Sequence, residues 1–156
     1  MKVIKATENH INKIFHIFKD AAEYHDNIHP NVFAGTDSEK QTKWFKGFIN
    51  KENSLFLVSL DNNDNVTGFV LGEILERKEN YKIRKHFYVH KLAVDEECRR
   101  QGIATALYSE FKKQVKESFD VTEIELRVYG RNEIAHKFYQ SLGMNLFFSN
   151  FIEDVK

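Results

Sequence analysis

The sequence predicts a single-domain α/β fold in which helices flank one central mixed β-sheet. A length of 156 residues suits one domain of ordinary size and leaves no room for a second large one. Hydrophobic residues make up 42% of the chain and include fourteen Phe, which is enough to build a core. The predicted elements follow the order β, α, α, β, β, β, α, β, α, β, which is typical of a layered α/β domain.

Periodicity and end signals place the elements of the front half. Residues 2–6 alternate weakly and predict a strand. A helix follows, because apolar residues recur at helical spacing at Ile11, Ile14, Phe15, Phe18, Ala21 and Ala22. Residues 25–35 carry Asn, His and the only proline and predict a loop. Thr36 and Glu39 resemble a capping box, which predicts a second helix ending near Asn50. Its buried face would contain Trp44, Phe45, Phe48 and Ile49.

The middle of the chain predicts a hairpin, a central strand and a long helix. Residues 54–60 and 66–75 are β-rich runs around a polar turn and predict the hairpin. The strongly charged residues 76–85 predict a solvated connection. Aromatic and β-branched residues are dense over 86–94, which predicts the central strand. The long helix is marked by apolar residues that step by four, Ile103, Leu107, Phe111, Val115 and Phe119.

The final part of the chain predicts a strand, a short helix and a last strand. Residues 123–128 alternate as a strand. The pattern of 134–142 predicts a helix that Gly143 ends, because glycine readily takes the left-handed conformation found after helices. Residues 145–152 are rich in Phe and predict a last strand.

Charge and cysteine content exclude several classes of protein. Lys plus Arg and Asp plus Glu both number 23, so the formal net charge is zero and no global field favours nucleic acid or an anionic membrane. The only cysteine, Cys98, excludes an internal disulfide, and no histidine has metal-ligand spacing with it. The chain lacks a run of about 20 apolar residues and an apolar leader, so we expect a cytoplasmic protein.

The segment between the central strand and the long helix, residues 95–105, carries the clearest chemical signal. The first amides of a helix have no intrahelical acceptor and lie at the positive end of the helix dipole, so they can bind a phosphate or pyrophosphate. Gly102 and Ala104 are small enough to let an anion approach, while Arg99 and Arg100 add charge and donors. An ordinary turn with two surface arginines is the alternative interpretation.

Two motifs together resemble a known family. Residues 99–104, Arg-Arg-Gln-Gly-Ile-Ala, follow a strand ending at 92–94 and resemble the acetyl-CoA pyrophosphate loop of the GCN5-related N-acetyltransferases, the GNAT family. Residues 132–139, Asn-Glu-Ile-Ala-His-Lys-Phe-Tyr, resemble the Asn-x-x-Ala-x-x-Phe-Tyr helix of that family. The family's Leu-Gly-Phe follows this helix, and here Met144 stands in place of the Phe. The two motifs are jointly specific because their order and separation also match.

The resemblance is strongest over residues 86–147 and implies a fold and a co-substrate. The implied sheet is mostly antiparallel and splays at its two central strands, where the strand edge at 92–94 would pair with the pantetheine arm of acetyl-CoA. No metal is implied. Asn132 would contact the same arm or a phosphate, or cap its helix. The cofactor-binding residues implied are Leu92, Ala93, Val94, Arg99, Arg100, Gln101, Gly102, Ile103, Ala104, Thr105, Asn132, Ala135, Phe138 and Tyr139.

The resemblance also implies direct attack of a primary amine on the acetyl thioester in a ternary complex. Tyr139 matches the family tyrosine close to the CoA sulfur, and its phenol could act as general acid toward the departing thiolate. The alternative is that Tyr139 packs in the core, as Phe138 beside it would.

The general base is the least determined role. Many GNAT members have an acidic residue in the central strand where this chain has His90, and a histidine could take the ammonium proton directly or through water. His90 could instead be a core or ligand-positioning residue, and Glu73 is a competing carboxylate. Strand alternation predicts that Tyr88, His90 and Leu92 share one face.

The acceptor is expected to be a small molecule or protein that carries a primary amine, of unidentified structure. Its pocket would involve Tyr24, His25, Phe33, Glu73 and Tyr88, and residues 29–33 resemble a Pro-x-x-Phe loop of many small bacterial members. A homodimer is expected by analogy with the family, and neither nucleic acid nor membrane is expected as a partner. The alternative function is a non-catalytic acyl-CoA binding or sensing module of the same fold.

Overall fold

A five-stranded sheet with helices on both faces is built by the residues that the structure, a computed structural model, describes: 1–28, 37–79, 82–153 and 155. The strands are β1 (Lys2–Lys5), β2 (Ser54–Leu60), β3 (Val66–Glu79), β4 (Lys82–Val94) and β5 (Ile124–Leu126). The helices are α1 (Ile11–Ile28), α2 (Ser38–Lys46), α3 (Ile103–Ser118) and α4 (Glu133–Ser141), with short 3-10 turns at Glu8–His10 and Glu96–Cys98. The strand order is β1-β2-β3-β4-β5, and of the four pairings only β4 with β5 is parallel. The predicted α/β class with a mixed, mostly antiparallel sheet is confirmed.

The sheet separates two apolar clusters. The cluster on the α1 and α2 side includes Ile14, Phe45 and Phe69, and the cluster on the α3 side includes Phe87 and Phe111. All five side chains are fully buried. Burying a side chain of this size stabilises the fold by roughly 1.5–3 kcal/mol, so the two layers together hold both sets of helices on the sheet.

Helix α2 begins and ends differently from the sequence prediction. The carboxylate of Asp37 caps it by accepting a hydrogen bond from the Lys40 amide at 3.1 Å, whereas Thr36, the predicted cap, lies outside the described residues. The helix ends at Lys46, before the predicted end near Asn50. Asn50 has a φ of 59°, a left-handed conformation that cannot continue a helix.

The predicted solvated connection over 76–85 is wrong. Strand β3 continues to Glu79 and β4 begins at Lys82, so these residues extend the hairpin, with Arg77 opposite Arg84. The charges are paired across strands: one such contact joins Arg77 to Glu125 of β5. Most of the described residues here are exposed, as predicted, but they form strands rather than a loop, because an ion-paired exposed strand and an exposed loop have similar composition.

The predicted last strand over 145–152 is also wrong. None of the described residues after α4 forms a strand, and Phe147, Phe148 and Phe151 are largely exposed. β-Propensity favours a strand only where there is an edge to pair with, and β5 is three residues long rather than the predicted 123–128. Gly143 does end α4, with a φ of 81°.

A β-bulge in β4 rearranges the faces of the central strand. Leu71 pairs with Lys91 and Gly72 pairs with Val89, so His90 is the extra residue on β4. An inserted residue shifts the alternation by one position. The prediction that Tyr88, His90 and Leu92 share one face is therefore wrong, because Leu92 packs in the α3 cluster while the His90 ring contacts α2.

Gly72 is required beside this bulge, and replacing it with alanine is expected to destabilise the protein by about 3 kcal/mol. A Cβ at Gly72 would lie 2.6 Å from the Tyr88 carbonyl oxygen and 2.9 Å from Phe111 Cζ. Chemical denaturation measures the loss. Gly130→Ala is the control, because a Cβ there meets nothing within 4 Å. Equal stabilities of the two variants would show that the bulge tolerates the methyl group.

Candidate active site

The turn from β4 to α3 is shaped by two left-handed residues. After β4 ends at Val94, the carboxylate of Asp95 accepts a hydrogen bond from the Glu97 amide at 3.2 Å and starts a 3-10 turn. Arg100 then has a φ of 60° and Gly102 a φ of 78°. Gly102 lies at the N-cap position of α3, which begins at the next residue.

The start of α3 presents amides that have no partner among the described residues. The first hydrogen bond of the helix joins the Ala106 amide to the Gly102 carbonyl at 3.0 Å. The amides of Ile103, Ala104 and Thr105 therefore meet no acceptor among the described residues. A Cβ on Gly102 would meet nothing within 4 Å, so no described atom crowds the turn at this residue. This arrangement fits a phosphate or diphosphate group.

Arginine side chains flank the open amides. Arg99 is part-exposed and its Nε donates to the Val94 carbonyl at 3.4 Å, which holds the side chain beside the end of β4. Its guanidinium lies 3.8 Å from the Glu96 carboxylate, and its charge also contributes to lowering the pKa of Asp95. A guanidinium in this position could in addition donate to an anion at the helix start.

The sheet opens beside the same turn. β5 pairs with β4 only at Phe87, Tyr88 and Val89. From His90 to Val94, β4 has no strand on that side among the described residues, and the predicted splay of the two central strands is confirmed. An extended ligand with alternating polar groups can pair with such an edge.

Asn132 is the N-cap of α4, as one of its two predicted roles requires. Its side-chain oxygen accepts a hydrogen bond from the Ala135 amide at 3.1 Å, and only 8% of its surface is exposed. Its predicted contact with the co-substrate stays a prediction. Phe138 and Tyr139 follow in the last turns of this helix.

Tyr139 lies half-buried among aromatic rings. Its ring centroid is 5.1 Å from that of Phe138 and 6.3 Å from that of Tyr108. Burial, and after it the neighbouring Tyr108, raises the pKa of the Tyr139 phenol well above its ordinary value. The phenol is therefore protonated at neutral pH, and its hydroxyl is not hydrogen-bonded to any described residue.

His90 and Glu73 are joined directly. His90 Nε2 lies 2.9 Å from Glu73 Oε1, and the side chains are 21% and 16% exposed. On its other oxygen Glu73 is bonded by the Lys51 ammonium at 2.5 Å. Burial alone would raise the pKa of Glu73, but the hydrogen bonds and charges of Lys51 and His90 outweigh it and lower that pKa. Glu73 is therefore a carboxylate at neutral pH.

Aromatic rings enclose His90. The centroids of Trp44, Phe48 and Tyr88 lie 5.7, 5.5 and 5.1 Å from that of the imidazole. Burial raises the pKa of Tyr88, so its phenol is neutral. Trp44 and Phe48 were not predicted as neighbours of His90, and Lys51 was not predicted as a neighbour of Glu73. Their positions depend on how α2 packs across the sheet, and no local spacing shows that.

Two further predicted acceptor residues lie near the end of α1. Tyr24 and His25 are in the last two turns of α1, where the His25 ring is 5.5 Å from Tyr129. Arg131 Nη1 donates to the Ile28 carbonyl at 3.4 Å and joins the same two segments. Phe33 lies outside the described residues. The structure therefore brings Glu73 and Tyr88 to His90, and it places His25 beside Tyr129, whose phenol acts electrostatically on Tyr88.

Within the described ranges, no three or more His, Cys, Asp and Glu side chains are grouped so that they could hold a metal ion. No helix in the described parts of the chain is both long and apolar enough to cross a membrane.

Comparison with solved structures defines the class of fold. A mutant form of the BH1408 protein from Bacillus halodurans matches with a TM-score of 0.92 and 23% identity, covering all of both chains. A probable acetyltransferase matches with a TM-score of 0.75 and 20% identity over 100% of this chain and 99% of its own. An aminoglycoside acetyltransferase from an uncultured soil metagenomic sample, solved with sisomicin, matches with a TM-score of 0.68 and 22% identity over 99% and 96%. The fold is that of the acetyltransferases.

The sequence assigns the family. A model of the Acetyltransferase (GNAT) family matches residues 12–144, which is most of the chain. The protein belongs to the GNAT family of acetyltransferases, and the resemblance seen in its two motifs is confirmed. A search of curated protein sequences finds no match.

Proposed function

We propose that the protein is an acetyl-CoA-dependent N-acetyltransferase that acts on a primary amine of a small molecule or protein. The observation that carries the proposal is the set of unpaired amides at the start of α3, Ile103 to Thr105, next to the open edge of β4. Bound acetyl-CoA supplies the activated acetyl thioester. Its cytoplasmic location and a homodimeric state stay predictions from the sequence.

The chain's own groups would hold the co-substrate at three places. The amides of Ile103, Ala104 and Thr105, with Arg99 beside them, would bind the diphosphate. The backbone of 92–94 would pair with the pantetheine amides along the open edge of β4. Because both features begin at the same turn, the thioester end of the ligand would lie farther along β4, toward His90.

His90 is the proposed proton acceptor for the incoming ammonium. Glu73 holds the imidazole through the 2.9 Å contact at Nε2, and this contact fixes the ring against Trp44 and Phe48. The lowered pKa of Glu73 makes that carboxylate a weak base. Of the two candidates that the sequence left open, His90 is therefore the better acceptor and Glu73 the group that orients it.

Tyr139 is the proposed proton donor to the departing thiolate. Its raised pKa keeps the phenol protonated at neutral pH, and its hydroxyl is not committed to another group in the described chain. A phenol of raised pKa gives up its proton less readily than a free one. Donation of a hydrogen bond to the sulfur is therefore its first contribution, and proton transfer follows as negative charge develops there.

An amine panel followed by thiol release tests the proposal. The panel contains aminoglycosides, suggested by the sisomicin complex of one relative in the fold, together with polyamines, amino acids and a protein fraction from a lysate. We expect at least one acceptor to release CoA well above the rate of acetyl-CoA hydrolysis. Tight acetyl-CoA binding without turnover on the whole panel would favour the non-catalytic binding module instead.

A further inference from the structure

The loop after α2 delivers a lysine to the His90 site from a distant part of the sequence. Asn50 and Asn53 take left-handed φ values of 59° and 58° and turn the chain on either side of Lys51. The hydroxyl of Ser54 donates to the Lys51 carbonyl at 2.8 Å, and the Ile74 amide donates to the Asn53 carbonyl at 2.8 Å. Main-chain contacts therefore hold this loop against β3 without help from the Lys51 side chain.

The Lys51 side chain crosses an aromatic ring to reach Glu73. Its ammonium lies 4.6 Å from the Phe48 ring centroid and 2.5 Å from Glu73 Oε2, while His90 occupies Oε1. Phe48 itself packs on the His90 ring. Lys51 thus contacts both the carboxylate and the apolar wall of the same imidazole.

We propose that Lys51 is a positioning residue that neutralises Glu73 and so sets the pH at which His90 accepts a proton. An anionic Glu73 by itself stabilises the imidazolium and keeps His90 charged at higher pH. The Lys51 ammonium cancels most of that charge, so the imidazole is neutral, and able to act as a base, at lower pH. The use of this effect in catalysis rests on the proposed function, but the electrostatic effect does not.

The other described groups around His90 do not supply charges equivalent to those of Glu73 and Lys51. Trp44 of α2 and Phe48, two residues after that helix, carry no charge, and Tyr88 is neutral because burial raises its pKa. Lys91, next in β4, directs its ammonium to the Phe18 ring of α1 at 5.2 Å. Beyond Tyr88, the charges of Glu125, Arg127 and Arg77 act on that phenol. Among the described residues, Glu73 is therefore the charged group in contact with His90, and Lys51 is the cation bonded to Glu73.

An NMR titration of the His90 imidazole in the Lys51→Met variant tests the proposal without substrate. The signal is assigned by its loss in His90→Gln. We expect the His90 pKa to rise by about one unit, the order expected for loss of a charge a few ångströms away. Glu73→Gln should lower the His90 pKa, and Lys51→Arg, which keeps the positive charge, should leave that pKa at the wild-type value.

The control is Lys85→Met. Lys85 of β4 pairs with Glu76 of β3 at 3.8 Å, but Glu76 lies three residues from Glu73 and on the opposite face of β3. Its removal should leave the His90 titration unchanged. If Lys51→Met does not fold, Lys51→Gln takes its place. An unchanged His90 titration in a folded Lys51 variant would overturn the proposal and leave Lys51 a purely structural residue.

Kinetics separate this proposal from the transferase proposal. With an acceptor in hand, the acid limb of kcat/KM should move to higher pH in Lys51→Met by the same shift as the NMR titration. A shifted titration without acetylation of any amine would reject the transferase and keep the role of Lys51. Acetylation of an amine together with an unshifted His90 titration would keep the transferase proposal and reject the role of Lys51.

Discussion

Replacing Tyr139 with phenylalanine is expected to lower kcat about 100-fold and to change the Kd for acetyl-CoA by less than about threefold. The first figure is the lower end of what a positioned proton donor contributes. The second follows because the ring, which makes the contacts with Phe138 and Tyr108, is retained. Only the hydroxyl is lost, and it bonds to nothing in the described chain.

The kcat is measured at saturating substrates, and the Kd is measured by calorimetry. Tyr108→Phe is the matched control, since Tyr108 is the neighbouring tyrosine and its hydroxyl donates to Met144 Sδ at 3.4 Å. We expect that variant to keep kcat within about threefold of the wild type. A Tyr139→Phe enzyme with wild-type kcat would remove Tyr139 from the donor role and return it to its alternative as a packing residue.

The site at the start of α3 could be predicted from sequence because it is local. A strand, a turn with Gly102 and a helix lie within about a dozen residues, and the physics of free amides at a helix start needs nothing from elsewhere. The same holds for Asn132, whose capping contact with Ala135 spans three residues. Features of this kind can be predicted from sequence because the residues that form them are close together in the chain.

The proposed acceptor site around His90 could be predicted only in part because it is assembled from distant segments. His90 and Glu73 were identified as candidates, but Lys51 reaches them across 22 residues of sequence from Glu73. The bulge at His90 depends on the register between β3 and β4, which alternation alone does not reveal. One inserted residue was enough to move Leu92 to the other face.

The errors at the hairpin and at the chain end have opposite causes. Residues 76–85 have a loop-like composition but form strands, because opposite charges on neighbouring strands pair, as Arg77 does with Glu125. Residues 145–152 have a strand-like composition but pair with nothing in the described chain. In both cases the available partner, rather than intrinsic propensity, decided the structure.

Replacing Gly102 with valine is expected to raise the Kd for acetyl-CoA about 10- to 100-fold. This corresponds to losing about one hydrogen bond to a charged phosphate, which contributes about 1.5–3 kcal/mol. The valine side chain meets no protein atom within 4 Å of its Cβ position, so it would enter the space in front of the Ile103 to Thr105 amides. Calorimetry on the folded variant measures the change.

A control must distinguish backbone strain at Gly102 from obstruction of the proposed diphosphate site. Gly143→Val is that control. The φ of 81° at Gly143 nearly equals the 78° of Gly102, and an added Cβ there also meets nothing within 4 Å. Gly143→Val should therefore suffer a similar loss of stability, on the order of 1–2 kcal/mol, since a branched side chain is strained at positive φ in either place. Its Kd for acetyl-CoA should stay near that of the wild type. If both variants lose affinity equally, strain explains the effect and the amides at the start of α3 do not bind the diphosphate. If only Gly102→Val loses it, the open space beside those amides is where the ligand lies.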